Sequence, residues 1–177
     1  MALKQNLRTQ GDVATLAPPR LSDRALDFGC GPGGNGLWLA PQVAHVTLYD
    51  PSEPMLRLAR QRAEERGLDN VTFVSGSASE AAAAGPFDLV LASFVLHHDA
   101  KWQETIGVLA GGLASGGVLL VHELTSPTMT ADALAETAAV HGLGVRHSAD
   151  LPTTTQATSD GREVPLESYI IVFHKPE

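Results

Sequence analysis

Residues 25–40 constrain the fold more than any other stretch. They read Ala25-Leu26-Asp27-Phe28-Gly29-Cys30-Gly31-Pro32-Gly33-Gly34-Asn35-Gly36-Leu37-Trp38-Leu39-Ala40. An apolar run ends in a glycine-dense turn, and an apolar pattern at helical spacing follows. That order is strand, tight loop, helix, the arrangement with which open α/β sheets hold nucleotide-like cofactors. Glycine is needed there because the backbone must turn sharply and approach a ligand with no Cβ in the way. The helix start then offers unpaired N–H groups to an anionic or carboxylate group.

The rest of the chain alternates in the same sense. Strands are predicted at 24–28, 43–49, 71–74, 87–93 and 118–122. Between them fall helices from the glycine turn to about residue 40, from Ser52 to a C-terminal Gly67, at 79–84 and at 101–113. Ser52 is a credible N-cap, and Met55, Leu56, Ala59 and Ala63 repeat at helical spacing. Residues 87–93 are apolar almost without a break, which suits a strand covered on both faces. Gly116-Gly117 is expected to make the turn into the strand at 118–122. Such alternation demands a parallel sheet with right-handed crossovers.

A helix at 131–141 then leads to a strand around 144–149, a Thr/Ser-rich loop with a turn at Asp160-Gly161, and a final strand at 169–174. Two closing strands with no helix between them must pair antiparallel. Residues 1–24 are polar and interrupted by Pro18-Pro19. They are expected to form a surface lead-in over 1–21, with 10–12 as an alternative flap over the cofactor and no room for a sizeable N-terminal cap.

The 177 residues suit one domain spanning 1–177, and 44% hydrophobic content marks a globular chain. A net charge of −8 argues against the broad basic face that nucleic acid requires. Arg57, Arg60, Arg62 and Arg66 cluster on one predicted helix, where a solvated face is the simpler reading. Cys30 is the only cysteine, so no intrachain disulfide can form. No run is long and apolar enough to span a membrane, and residues 1–6 lack an apolar signal core. A cytoplasmic protein is expected.

Two features separate the possible cofactors. Asp27 stands two residues before the first glycine, and Asp50-Pro51-Ser52 closes the next apolar run. Asp27-x-Gly29-x-Gly31-x-Gly33 together with Asp50 resembles the class I S-adenosylmethionine (SAM)-dependent methyltransferases, and the resemblance extends over roughly 22–175. It implies a Rossmann-like, doubly wound, seven-stranded sheet, mostly parallel with a C-terminal antiparallel hairpin. SAM would be the cofactor and S-adenosyl-L-homocysteine the product.

Asp50 is placed to accept both ribose hydroxyl hydrogens of an adenosine. The resemblance implies that Met55 packs on the adenine, although a core role is equally consistent with its spacing. It also implies that Gly29, Cys30, Gly31, Gly33 and Pro51 surround the cofactor and that Asp27 faces its ammonium group. Asp27 could equally fix the loop by accepting backbone N–H bonds. Ser77-Ala78 stands where the family often has an acid that receives the adenine amino group, so a weaker, neutral bond from Ser77 is expected. Ser93, Phe94 and Val95 would line the methionine arm.

Methyl transfer from a sulfonium asks mainly for alignment, with a base only where the acceptor must lose a proton. His98 is the first candidate base because imidazole titrates near neutrality, followed by Glu123 and His97. Adjacent His97 and His98 with His122 and Glu123 raise a metal reading, but chain neighbours rarely both reach one ion, and none is expected. The acceptor is expected to be a small organic molecule, free or carrier-held, served by a monomer or homodimer. A non-methylating SAM binder or partner subunit is the first alternative. An NAD(P)-dependent oxidoreductase is the second, and lacks a Tyr-x-x-x-Lys pair. Nucleic-acid methylation lacks an Asn/Asp-Pro-Pro-Tyr-type motif.

Overall fold

The computed structural model describes residues 2–157 and 162–177. Its strands are β1 (Arg24–Phe28), β2 (His45–Tyr49), β3 (Val71–Val74), β4 (Phe87–Ser93), β5 (Leu113–Leu124), β6 (Gly144–Ala157) and β7 (Glu163–His174). Its helices are α1 (Ala2–Leu16), α2 (Gly36–Leu39), α3 (Glu53–Glu65), α4 (Ala78–Ala83), α5 (Trp102–Gly112) and α6 (Ala131–Val140). One sheet joins the strands in the order β3-β2-β1-β4-β5-β7-β6. β1 to β5 run parallel, and β7 lies antiparallel to both β5 and β6. The expected closing hairpin is therefore present.

The chain winds outward from β1 through β2 to β3, then returns to place β4 on the other side of β1. That reversal opens a crevice at the carboxyl ends of β1 and β4, where open α/β sheets bind ligands. Alternate residues of each strand feed opposite faces. Leu26, Phe28, Val90 and Ala92 join the apolar layer packed by α5 and α6, while Ala25, Leu89 and Leu91 join the layer packed by α2 and α3. Each large apolar side chain so buried stabilises the fold by about 1.5–3 kcal/mol. The apolar run at 89–92 in β4 is what a strand with two buried faces requires.

Three expectations need correction. Residues 2–16 form a 15-residue helix rather than a lead-in. Its Thr9 and Val13, followed by Ala17, are buried at a spacing of four, a helical stripe too weakly apolar to stand out in sequence. β5 runs through Gly116-Gly117 instead of beginning after it. Gly116 takes φ +74, and the pairing with β4 steps from Phe87↔Leu113 to Leu89↔Val118. β6 and β7 also extend well beyond 144–149 and 169–174, so the Thr-rich stretch is strand. The turn expected at residues 160–161 lies outside the described residues.

Candidate functional site

The glycine turn is pulled onto the end of β2. Gly29 N and Cys30 N both donate to Tyr49 O, at 2.8 and 2.9 Å. Gly29 has φ +75, and a Cβ there would collide with the side chain of Val95. Only glycine allows the turn to close against the β4 tip. Arg62 of α3 reaches over to the Pro32 carbonyl at 2.9 Å, and Arg60 pairs with Glu53 at 2.7 Å. Those two members of the arginine cluster therefore serve the local structure.

Asp50 stands just past β2 with both oxygens in use. Oδ2 accepts from Gly31 N and Oδ1 from Ser52 N, each at 2.8 Å. Ser52 is at the N-cap of α3 but makes no side-chain cap bond. Because each carboxylate oxygen has two lone pairs, Asp50 retains one on each for a diol.

Asp27 is 2% exposed and accepts from Gly36 N at 2.7 Å through Oδ2. A Cβ on Gly36 would sit 2.9 Å from that oxygen. Asp27 thus does fix the loop, as one of its two expected roles required. Burial pushes its carboxyl up to about 7, against the opposing Gly36 bond and with the help of the Asp50 charge. Cys30 is buried, and burial, with the nearby charges of Asp27 and Asp50, raises its thiol far above the ordinary range. It contributes backbone, not a thiolate.

Beside these groups lies a cavity of about 460 Å³, lined in part by Tyr49, Pro51, Ser77, Ala78, Val95 and His98. The Tyr49 ring stacks on Phe28 at 4.7 Å, and its hydroxyl donates to Gly76 O. Met55 is 40% exposed, outside both the core and this lining, so the core alternative falls. Ser77 lines the cavity, and its hydroxyl keeps one lone pair while it caps the next helix. It caps α4, accepting from Glu80 N and donating to Glu80 Oε2 at 2.8 Å. Sequence reasoning overlooked this capping box, whose Ser-x-x-Glu signature is visible at 77–80.

Phe94 is held at φ +53, a costly conformation for a side chain of its size. Its N–H donates to His122 O at 2.7 Å, and its ring lies 4.2 Å from the His122 ring. His122 is 1% exposed. Its Nδ1 meets Thr9 Oγ1 at 3.0 Å, and Thr9 Oγ1 lies 3.1 Å from Ser93 Oγ. Helix α1 thereby joins the tips of β4 and β5, and Gln10 ties it to Gly34 O. Burial and the nearby Arg8 hold the imidazole down to about 4, against the opposing charge of Glu123.

The three candidate bases separate sharply. Glu123 is fully buried and pairs with His97, whose Nδ1 lies 2.6 Å from Oε1. It also accepts from the backbone N–H groups of Leu96, His97 and Leu124. Glu123 is therefore no free base. His98 is exposed, and its ring packs on His97 at 3.9 Å with no hydrogen-bond partner among the described residues.

A profile of the methyltransferase domain matches residues 25–117, more than half the chain and the span that holds the glycine turn, Asp50 and β4. The chain belongs to this family, the class I SAM-dependent methyltransferases. It is 34% identical over 125 residues to the demethylmenaquinone methyltransferase of Thermus thermophilus, covering 69% of this chain and 56% of that protein. It is 37% identical over 122 residues to the ubiquinone biosynthesis O-methyltransferase of a Caulobacter species, covering 68% and 48%. The chain spans about half the length of those curated relatives. The N-methyltransferase NodS of Bradyrhizobium japonicum, solved with S-adenosyl-L-homocysteine, superposes with a TM-score of 0.76 at 17% identity. That match covers 99% of this chain and 87% of NodS and shows the shared fold.

The family's cofactor is SAM, and the residues present fit it. Asp50 offers a lone pair on each oxygen, and a Cβ on Gly31 would meet nothing within 4 Å, which leaves the turn open to a ligand. No helix among the described residues is long and apolar enough to cross a membrane.

Proposed function

We propose that this chain, acting as one domain, transfers the methyl group of SAM to an O, N, S or C nucleophile of a small organic molecule. The observation that carries this reading is Asp50, held at the open end of β2 by Gly31 N and Ser52 N beside the cavity. When bound, SAM supplies a methyl group already activated on a sulfonium. The chain then has to hold it, orient the acceptor and exclude water.

In this arrangement Asp50 binds the ribose, Tyr49, Pro51 and Ala78 enclose the adenine, Val95 lines the methionine arm, and Asp27 Oδ1 faces the ammonium. Exposed Met55 covers the adenine from outside. The quinone-pathway relatives support a small acceptor, which reaches the site free or held on a carrier, in a monomer or homodimer. Unpaired Cys30 suits the reducing cytoplasm.

Calorimetry with S-adenosylhomocysteine, NAD and NADP tests the cofactor. S-adenosylhomocysteine should bind, and Asp50→Ala should weaken it at least about a hundredfold, since two charge-assisted hydrogen bonds at about 1.5–3 kcal/mol each are lost. Binding of NAD alone would sink the proposal. Tight S-adenosylhomocysteine binding with no turnover of any acceptor would leave a non-methylating SAM-binding subunit.

A further inference from the structure

A second cavity, of about 520 Å³, opens between the Leu96–His98 turn with the start of α5 and the loop that follows β5. Its size falls within the range of small-molecule sites. It adjoins the cofactor cavity at His98 and Asp99, which line both. Trp102, Met129 and the tilted, contacting pair of imidazoles supply flat or compliant apolar surface, and Gln103, Ser126 and Thr128 supply neutral polar groups. No lysine or arginine lines it among the described residues. A strongly anionic ligand would therefore go uncompensated.

His97 is set into the wall by Glu123. Oε1 of that buried carboxylate accepts from Leu124 N and faces His97 Nδ1, while Oε2 accepts from Leu96 N and His97 N. A carboxylate has about four acceptor positions; the backbone N–H groups of Leu96, His97 and Leu124 fill three, and Nδ1 faces the fourth. Three N–H donors favour the ionised carboxylate, and against a carboxylate Nδ1 carries the hydrogen that joins it to Oε1. The other nitrogen, Nε2, then keeps its lone pair. The ring is 24% exposed and lines the second cavity, and Nε2 is its only nitrogen not engaged by Glu123.

We infer that this second cavity is the acceptor site, that it takes an uncharged planar compound bearing an aromatic or enolic hydroxyl, and that His97 Nε2 removes the hydroxyl proton while Glu123 positions the ring. The inference rests on the methyltransferase reading and narrows it to oxygen. Amines present a lone pair once neutral and thiols ionise close to neutrality, whereas a phenol holds its proton at pH 7 and needs a base. In the step, the O–H bond breaks and its proton passes to Nε2. The freed oxygen pair forms the O–C bond as the C–S bond breaks and its pair returns to sulfur. Glu123 stays a carboxylate throughout, and the imidazolium returns its proton to water.

4-Nitrophenol is a suitable probe because its phenolate is coloured and it titrates near neutrality. With the protein saturated by S-adenosylhomocysteine, the bound probe should ionise at a pH at least one unit below the free probe. His97→Gln should abolish the displacement. Glu123→Gln should abolish it too, although His97 remains, because an amide in that place turns Nδ1 into the acceptor and puts the hydrogen on Nε2. S-adenosylhomocysteine affinity should stay within about twofold in both variants. Should Glu123→Gln fail to fold, as a thermal melt would show, His97→Gln alone decides.

The inference falls if S-adenosylhomocysteine binds but the probe does not bind or ionises as it does in water. It falls equally if His98→Gln removes the displacement and His97→Gln keeps it. Failure of S-adenosylhomocysteine itself to bind overturns the underlying methyltransferase reading, and this inference with it.

Discussion

Asp27 shows how one side chain couples fold and ligand. Its Oδ2 is spent on Gly36 N, which fixes the start of α2. Burial pushes the carboxyl up to about 7, so it is mostly protonated at pH 6 and mostly ionised at pH 8. A cofactor ammonium brought against Oδ1 would favour the ionised form. Binding of S-adenosylhomocysteine should therefore release roughly one proton at pH 6 and almost none at pH 8. Calorimetry in buffers of different ionisation enthalpy measures this directly, and Asp27→Asn should remove the release. Buffer-independent heats at pH 6 would mean that the ammonium sits elsewhere.

Asp27, Asp50 and the glycines were legible in sequence because a backbone turn dictates their type and spacing. Ser77 and Glu123 were legible as polar residues at strand ends but not in their roles. A hydroxyl or carboxylate is claimed by whichever N–H group lies nearest, and for Glu123 three of these are backbone donors from two separate segments. Thr9 carried no signal at all, since its partners Ser93 and His122 lie 84 and 113 residues away.

At the scale of elements, the alternation of strands with helices made the sheet and its closing hairpin readable, whereas strand ends were not. Pro152 and the threonines after it resemble a loop, yet they continue β6. Leu151 pairs with Ser168 and Thr154 with Leu166, so two residues bulge opposite one. A bulge on an edge strand is where a sheet tolerates proline. The missed helix α1 has a sharper consequence. Its polar attachment to the sheet runs through Thr9, so Thr9→Val keeps the shape but removes the hydroxyl facing His122 Nδ1 and Ser93 Oγ. Stability in urea should fall by about 1–3 kcal/mol, the usual cost of stranding buried polar groups. Faster amide exchange across α1 should accompany the loss. A change below about half a kcal/mol would show that the helix is held by Val13 and its apolar neighbours alone.

Over the whole molecule, two buried groups that titrate between pH 4 and 7, Asp27 and His122, pull stability in opposite directions through one pH window. An unfolded His122 binds a proton near pH 6.5, while the folded one resists until about 4. Between those values the unfolded chain holds more protons, so His122 makes stability rise with pH. Asp27 does the reverse. Its unfolded carboxyl ionises near 3.8 and its folded one near 7, so stability falls as pH rises across that range. At about 1.4 kcal/mol per unit the two amount to roughly 3 and 4 kcal/mol and nearly cancel.

The ligand-free protein should consequently show little net contribution from this pair between pH 4 and 7, and substitution should expose each half. With His122→Asn, which preserves a partner for Thr9, the stability advantage of the unsubstituted protein should grow by up to about 3 kcal/mol from pH 4 to 6.5. With Asp27→Asn, that advantage should shrink by up to about 4 kcal/mol from pH 4 to 7. Urea midpoints at half-unit pH steps supply both differences. Two differences flat in pH would mean that water reaches these groups and that the sheet tips are not sealed by α1. Opposite slopes would make cofactor binding the event that breaks the balance, because ionising Asp27 leaves His122 as the dominant proton-linked group of the folded site.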